Sequence, residues 1–204
     1  MGVLCDTPEA LEKGTSNSLE VTEIVNRLKD VKKYTGINLI CLSGGDPLWQ
    51  NKESLHDLFQ QLEANKFNVS VETSGVISIK PYSKYKNVFW VVDYKLLSAG
   101  VKTDFHKDNY ATPEGTIIKF VVYDEADLAE AIHIYRLGVF SLNTKFTFGL
   151  YWGTTKITYS ELTGRLVREN MLGLVGVNFQ VHKMAEFYDQ NSVAAHETVV
   201  RAKI

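Results

Sequence analysis

Apolar residues follow two different spacings along this chain, and the two alternate. Val21, Ile24, Val25, Leu28 and Val31 form a helical stripe that stops at Thr35-Gly36, and Leu55, Leu58, Phe59 and Leu62 form a second one. Short apolar or alternating runs fall between and after them, at residues 37–42, 67–71, 88–92 and 116–122, and read as strands. A helix is predicted from Glu125 to Arg136 with Leu128, Ala131, Ile132 and Tyr135 inward, then a strand at Phe146–Leu150. Another helix is predicted from Tyr159 to about Met171, and a last strand over Val175–Val181 places Asn178 and Gln180 on one side. Strands alternating with helices imply an α/β fold with a mostly parallel sheet, whose ligand sites lie at the carboxyl edge. Residues 8–20, polar and holding Pro8, Gly14, Ser16 and Ser18, read as a loop.

The turn behind the first strand changes this picture most. Ser43-Gly44-Gly45-Asp46-Pro47 puts two adjacent glycines at the end of an apolar run, where they allow positive φ and let backbone approach a small ligand closely. Asp46 and Pro47 fix the turn and add a carboxylate. Read alone, the segment is equally an ordinary strand-to-helix loop.

With 204 residues, 45% hydrophobic and 23% charged, the chain fits one globular domain with a sizeable core. A formal net charge of −2 gives no electrostatic footprint for a nucleic-acid backbone, so a small-molecule ligand is the expectation. Two cysteines without a disulfide pattern suit a reducing cytoplasm, and neither a signal-peptide core nor a membrane-length apolar run is present. No nucleic-acid or membrane partner is expected. Cys41, inside the first strand, reads as a buried small hydrophobe. His56, His106, His133 and His196 are scattered without metal-ligand spacing, and His182, beside Lys183, reads as structural. Trp49, Trp90 and Trp152 read as core residues.

Polar groups recur at successive strand ends: Cys5-Asp6-Thr7 near the start, then Gly44-Gly45-Asp46, Glu72-Thr73-Ser74-Gly75 and Asp93-Tyr94-Lys95. Later come residues 117–122, 148–153 and 178–183. In this order the segments resemble the radical S-adenosylmethionine superfamily, and within it the 7-carboxy-7-deazaguanine synthases, from Cys5 to about Lys183. The resemblance implies a partial (β/α) barrel with helices on its outer face. It also implies a carbon–nitrogen lyase that uses a [4Fe-4S] cluster, S-adenosyl-L-methionine and Mg²⁺ on a pterin substrate, with an electron donor such as flavodoxin and a homodimeric assembly. Carried over residue by residue, Cys5 is the cluster ligand and Thr7 the Mg²⁺ ligand. Asp6, Gly44, Gly45, Asp46, Glu72, Gly75, Asp93, Tyr94 and Lys95 would hold S-adenosylmethionine, and Thr73 would reach the substrate. Without the resemblance, Asp6-Thr7-Pro8 is a plain turn.

One departure bears on activity. The superfamily holds its cluster with three thiolates, whereas this chain supplies Cys5 and, in a strand, Cys41. The expectation is a chain lacking the opening strand and part of the cluster loop, inactive as it stands, with residues 1–188 as a single domain and 189–204 as an extension. The alternative is a degenerate, cluster-free relative that serves as a ligand-binding or interaction module. With no opening strand, the sheet is expected to expose an edge near residues 37–42.

Overall fold

The structure, a computed structural model, describes residues 19–100, 105–151 and 155–179. Helix α1, Val21–Thr35, stops at Gly36, whose left-handed conformation lets its N–H bond back to the Lys32 carbonyl. Strand β1, Leu39–Leu42, starts two residues later than the apolar run predicts. Helix α2, Lys52–Ala64, is capped by the Asn51 side chain and buries Leu55, Leu58, Phe59 and Leu62, the stripe read from the sequence. Strands β2, Asn68–Thr73, β3, Val88–Tyr94, and β4, Ile117–Val122, follow. Helix α3, Glu125–Arg136, keeps its predicted bounds but buries Ile134 and Asp127, while Tyr135 is only half-buried. Strand β5, Lys145–Leu150, leads to helix α4, Tyr159–Arg168, and strand β6, Gly176–Asn178.

Helix α4 ends three residues before Met171, the predicted end, and positive φ at Asn170 marks the stop. Strand β6 covers three residues of the run predicted as strand, and Gln180 and Val181 lie outside the described residues.

The six strands among the described residues are all parallel and lie in chain order, β1-β2-β3-β4-β5-β6. A parallel sheet that always advances in one direction, with crossovers of one hand, puts every connection on the same face. That is the topology of an opened (β/α) barrel. The connected face is apolar: Val69, Val71, Trp90, Val92, Ile118, Phe120, Val122 and Phe148 are all buried there. On the opposite face the alternate positions mix polar residues, Cys41, Ser70, Glu72, Asp93, Lys119 and Thr147, with apolar ones, Phe89, Val91, Ile117 and Val121, and of these none is buried. The strands thus alternate between an apolar core face and a mixed face that no helix among the described residues covers.

Two crossovers are not helical. The link from β2 to β3 carries a 3-10 turn at Lys80–Tyr82 built on Pro81, and the link from β3 to β4 carries 3-10 turns at Leu97–Ala99 and Lys107–Tyr110. No helix among the described residues is long and apolar enough to cross a membrane.

Candidate functional site

The carboxyl ends of β1, β2 and β3 are neighbours, with Leu42 paired to Val71 and Thr73 to Val92. Gly44 and Gly45 follow β1 with φ of 86° and 60°, and nothing lies within 4 Å of where a Gly44 Cβ would stand. Among the described residues the backbone of Gly44 is open to a ligand.

Asp46 does not project into that opening. Its carboxylate accepts from the Leu48 N–H at 3.0 Å, the Thr73 hydroxyl at 2.9 Å, the Ser74 N–H at 2.9 Å and the Ser74 hydroxyl. Thr73, 4% exposed, is turned toward Asp46 rather than toward the polar face. These bonds join the β1 turn to the end of β2.

Charges gather on the helix-free face. Asp93 lies between Lys95 at 2.8 Å and Lys119 at 2.9 Å, and Lys119 also stands 3.9 Å from Glu72. Ser43 and Cys41 point to the same Glu72 carboxylate, at 3.5 Å and 3.9 Å. Cys41 is exposed, which corrects the expectation that it is buried: β1 is an edge strand, and the parity of Cys41 places it on the helix-free face. Partial burial pushes its thiol above the ordinary range, and the charge and hydrogen bond of Glu72 add to this against a smaller lowering by Lys119. Two carboxylates beside two ammonium groups suit a zwitterion such as an amino acid. A groove of about 610 Å³ shares Glu72 and Lys119 with this band and otherwise lies toward the amino-terminal ends of β4 to β6, where Ile117, Lys145, Phe146 and Leu174 line it beside Thr147 and Asn178.

Two of the residues singled out at strand ends also pack into the core. The Tyr94 ring packs on Phe105 and Phe120, on the face opposite Asp93, and burial raises its phenol, helped by Tyr110 and Glu130. Gly75, at φ 76°, leaves space filled by Phe105 and Val92, and its carbonyl accepts from the His106 N–H and Asn109. Trp90 is buried, as expected of a core residue, whereas Trp49 is 70% exposed. Lys119, Ser43 and Ser74 were missed in the sequence. Strand parity could have placed Lys119 beside Asp93, and the two serines flank motifs that were recognised.

Cys5, Asp6, Thr7, Trp152, His182 and Lys183 lie outside the described residues. No family model matches the chain. Among curated proteins, a 7-carboxy-7-deazaguanine synthase of Clostridium acetobutylicum is 29% identical over 192 residues, covering 88% of this chain and 79% of that protein. A second synthase of the same name, from Thermoplasma acidophilum, is 30% identical over 152 residues, covering 74% of this chain and 68% of the relative. The chain belongs to the 7-carboxy-7-deazaguanine synthase family. A third relative of that name, from Pyrobaculum aerophilum, is 30% identical over 128 residues, or 55% of its own length.

The family's cofactors fit these residues unequally. The paired charges and the open Gly44 backbone suit the methionine end of S-adenosylmethionine. A [4Fe-4S] cluster does not fit: the 204 residues contain two cysteines, and Cys41 stands in β1 beside Glu72. Among the described residues no group of three or more His, Cys, Asp or Glu is placed to hold a metal ion.

Proposed function

We propose that this chain is the ligand-binding body of a 7-carboxy-7-deazaguanine synthase. In this reading it receives S-adenosylmethionine at the carboxyl edge of β1 to β3 and a pterin in the groove beside it. The reaction served is conversion of 6-carboxy-5,6,7,8-tetrahydropterin to 7-carboxy-7-deazaguanine with loss of ammonia. The observation that carries this is the band of Glu72, Asp93, Lys95 and Lys119 next to the open Gly-Gly turn. The backbone of Gly44 and Gly45 lies along the methionine moiety, Glu72 and Asp93 face its ammonium and sulfonium, and a lysine faces its carboxylate. Thr147 and Asn178, neutral donors and acceptors in the groove, suit the polar edge of a pterin ring. Cys5, Asp6 and Thr7 are assigned to the cluster, S-adenosylmethionine and Mg²⁺ by family resemblance.

With no third thiolate, these 204 residues bind without cleaving. Anaerobic reconstitution with iron and sulfide tests this. The expected product is a colourless protein that releases no 5′-deoxyadenosine under dithionite and binds 6-carboxy-5,6,7,8-tetrahydropterin when S-adenosylmethionine is present. A brown protein that cleaves the nucleoside would overturn the statement about the cluster. The cysteine count also favours a second reading, a cluster-free binding or interaction module. Binding of S-adenosylmethionine without any binding of the pterin would favour that module.

A further inference from the structure

We propose that Asp46 is a positioning residue that carries no cofactor group, and that Ser74 is its partner in shaping the cofactor turn. This rests on the cofactor reading above and changes which atoms of the turn meet the ligand. An ionised carboxylate offers about four lone-pair positions. Asp46 fills them from within the chain, with the Leu48 N–H, the Thr73 hydroxyl, the Ser74 N–H and the Ser74 hydroxyl. An incoming ammonium would have to displace one of these charge-assisted bonds, each stronger than a neutral one. The cost would be highest at Thr73, which is nearly buried and would lose its acceptor there.

The clamp reaches across two strands. Leu48 belongs to the 3-10 turn Pro47–Trp49, which Asp46 caps, while Thr73 and Ser74 close β2. Holding both ends fixes the course of Gly44 and Gly45, which have no side chain to anchor them. The ammonium is then left to carboxylates on the helix-free face, and Glu72, half-exposed and beside Ser43, stands nearest the turn. Ser74 never touches the ligand, yet its loss loosens the same clamp.

Binding and stability of Asp46→Asn, Ser74→Ala, Ser74→Thr and the Asp46→Asn/Ser74→Ala double variant separate positioning from direct contact. The probes are S-adenosylmethionine and 5′-methylthioadenosine, which lacks the amino acid. Asp46→Asn and Ser74→Ala are expected to weaken S-adenosylmethionine by a similar factor, on the order of tenfold, and to spare 5′-methylthioadenosine. Ser74→Thr restores the affinity, and the double variant unfolds at no lower denaturant than Asp46→Asn alone. Loss of S-adenosylmethionine binding in Asp46→Asn with full retention in Ser74→Ala means that Asp46 holds the ammonium, and overturns the proposal. Strictly additive destabilisation overturns it too. If the parent chain binds neither nucleoside, the cofactor reading fails, and the denaturation cycle still decides whether the clamp exists.

Discussion

Gly75 is constrained twice over, by a φ of 76° and by neighbours that leave its Cα no room. A Cβ there would meet the Phe105 ring at 2.7 Å and Val92 Cγ1 at 2.9 Å. Left-handed backbone and overpacking each cost about 1 to 3 kcal/mol, so Gly75→Ala should destabilise the fold by about 3 kcal/mol in denaturant titrations. A variant as stable as the parent would mean that the glycine serves a ligand and not the core. Cys41 supplies a second test at this scale. Its thiol is held high by burial and then by Glu72, so it should alkylate slowly at neutral pH. Glu72→Gln removes the charge and moves the pH–rate profile of Cys41 alkylation to lower pH, read by peptide mass mapping to separate it from Cys5. An unmoved profile would place Glu72 away from β1.

Elements were more legible than faces. The stripe of α2, most of that of α3 and the runs of β2 to β5 follow directly from spacing, because helix and strand periods differ and each buries one side, whereas α1 buries only Val25 of its stripe and leaves Val31 exposed. Cys41 was misread because an apolar run looks the same whether its strand is central or at an edge. Tyr94 and Asp93 were read as one motif, although neighbours on a strand face opposite sides. The contacts of Asp46 are not legible in the sequence, because its partners Thr73 and Ser74 lie at the end of the next strand, which no local pattern reveals. Among the described residues β1 is the terminal strand of the sheet. Leu39 is 58% and Ile37 55% exposed on and beside β1, so the chain should self-associate with rising concentration in sedimentation velocity, and Leu39→Lys should weaken that association. At the other end of the chain, Thr158 and Glu161 form a capping box at the start of α4. The backbone and hydroxyl of Thr158 hold the Glu161 carboxyl below its ordinary value of 4.5. A depressed folded value gives stability that is present above 4.5 and lost as pH falls through the folded value. Glu161→Gln should therefore flatten the acid side of the thermal-stability profile, and an unchanged slope would count against the box.

At the scale of the molecule, one sheet advancing in one direction leaves a face that no helix among the described residues covers, and that face holds the cluster of Glu72, Asp93, Lys95 and Lys119. Its carboxyl edge brings together the ends of β1, β2 and β3, residues separated by some fifty positions in the chain. Membership of the synthase family accounts for the order of those segments, and the physics of the face accounts for what they can bind. Binding of S-adenosylmethionine by that face is the central claim, and calorimetric titration of the parent chain and Glu72→Gln tests it most directly. Replacing Glu72 disturbs the core little, since its side chain is 43% exposed. The account predicts measurable binding by the parent and a loss of about tenfold or more in the variant, as expected for one hydrogen bond between charged groups. No heat of binding from the parent, or equal affinity in both proteins, would contradict it.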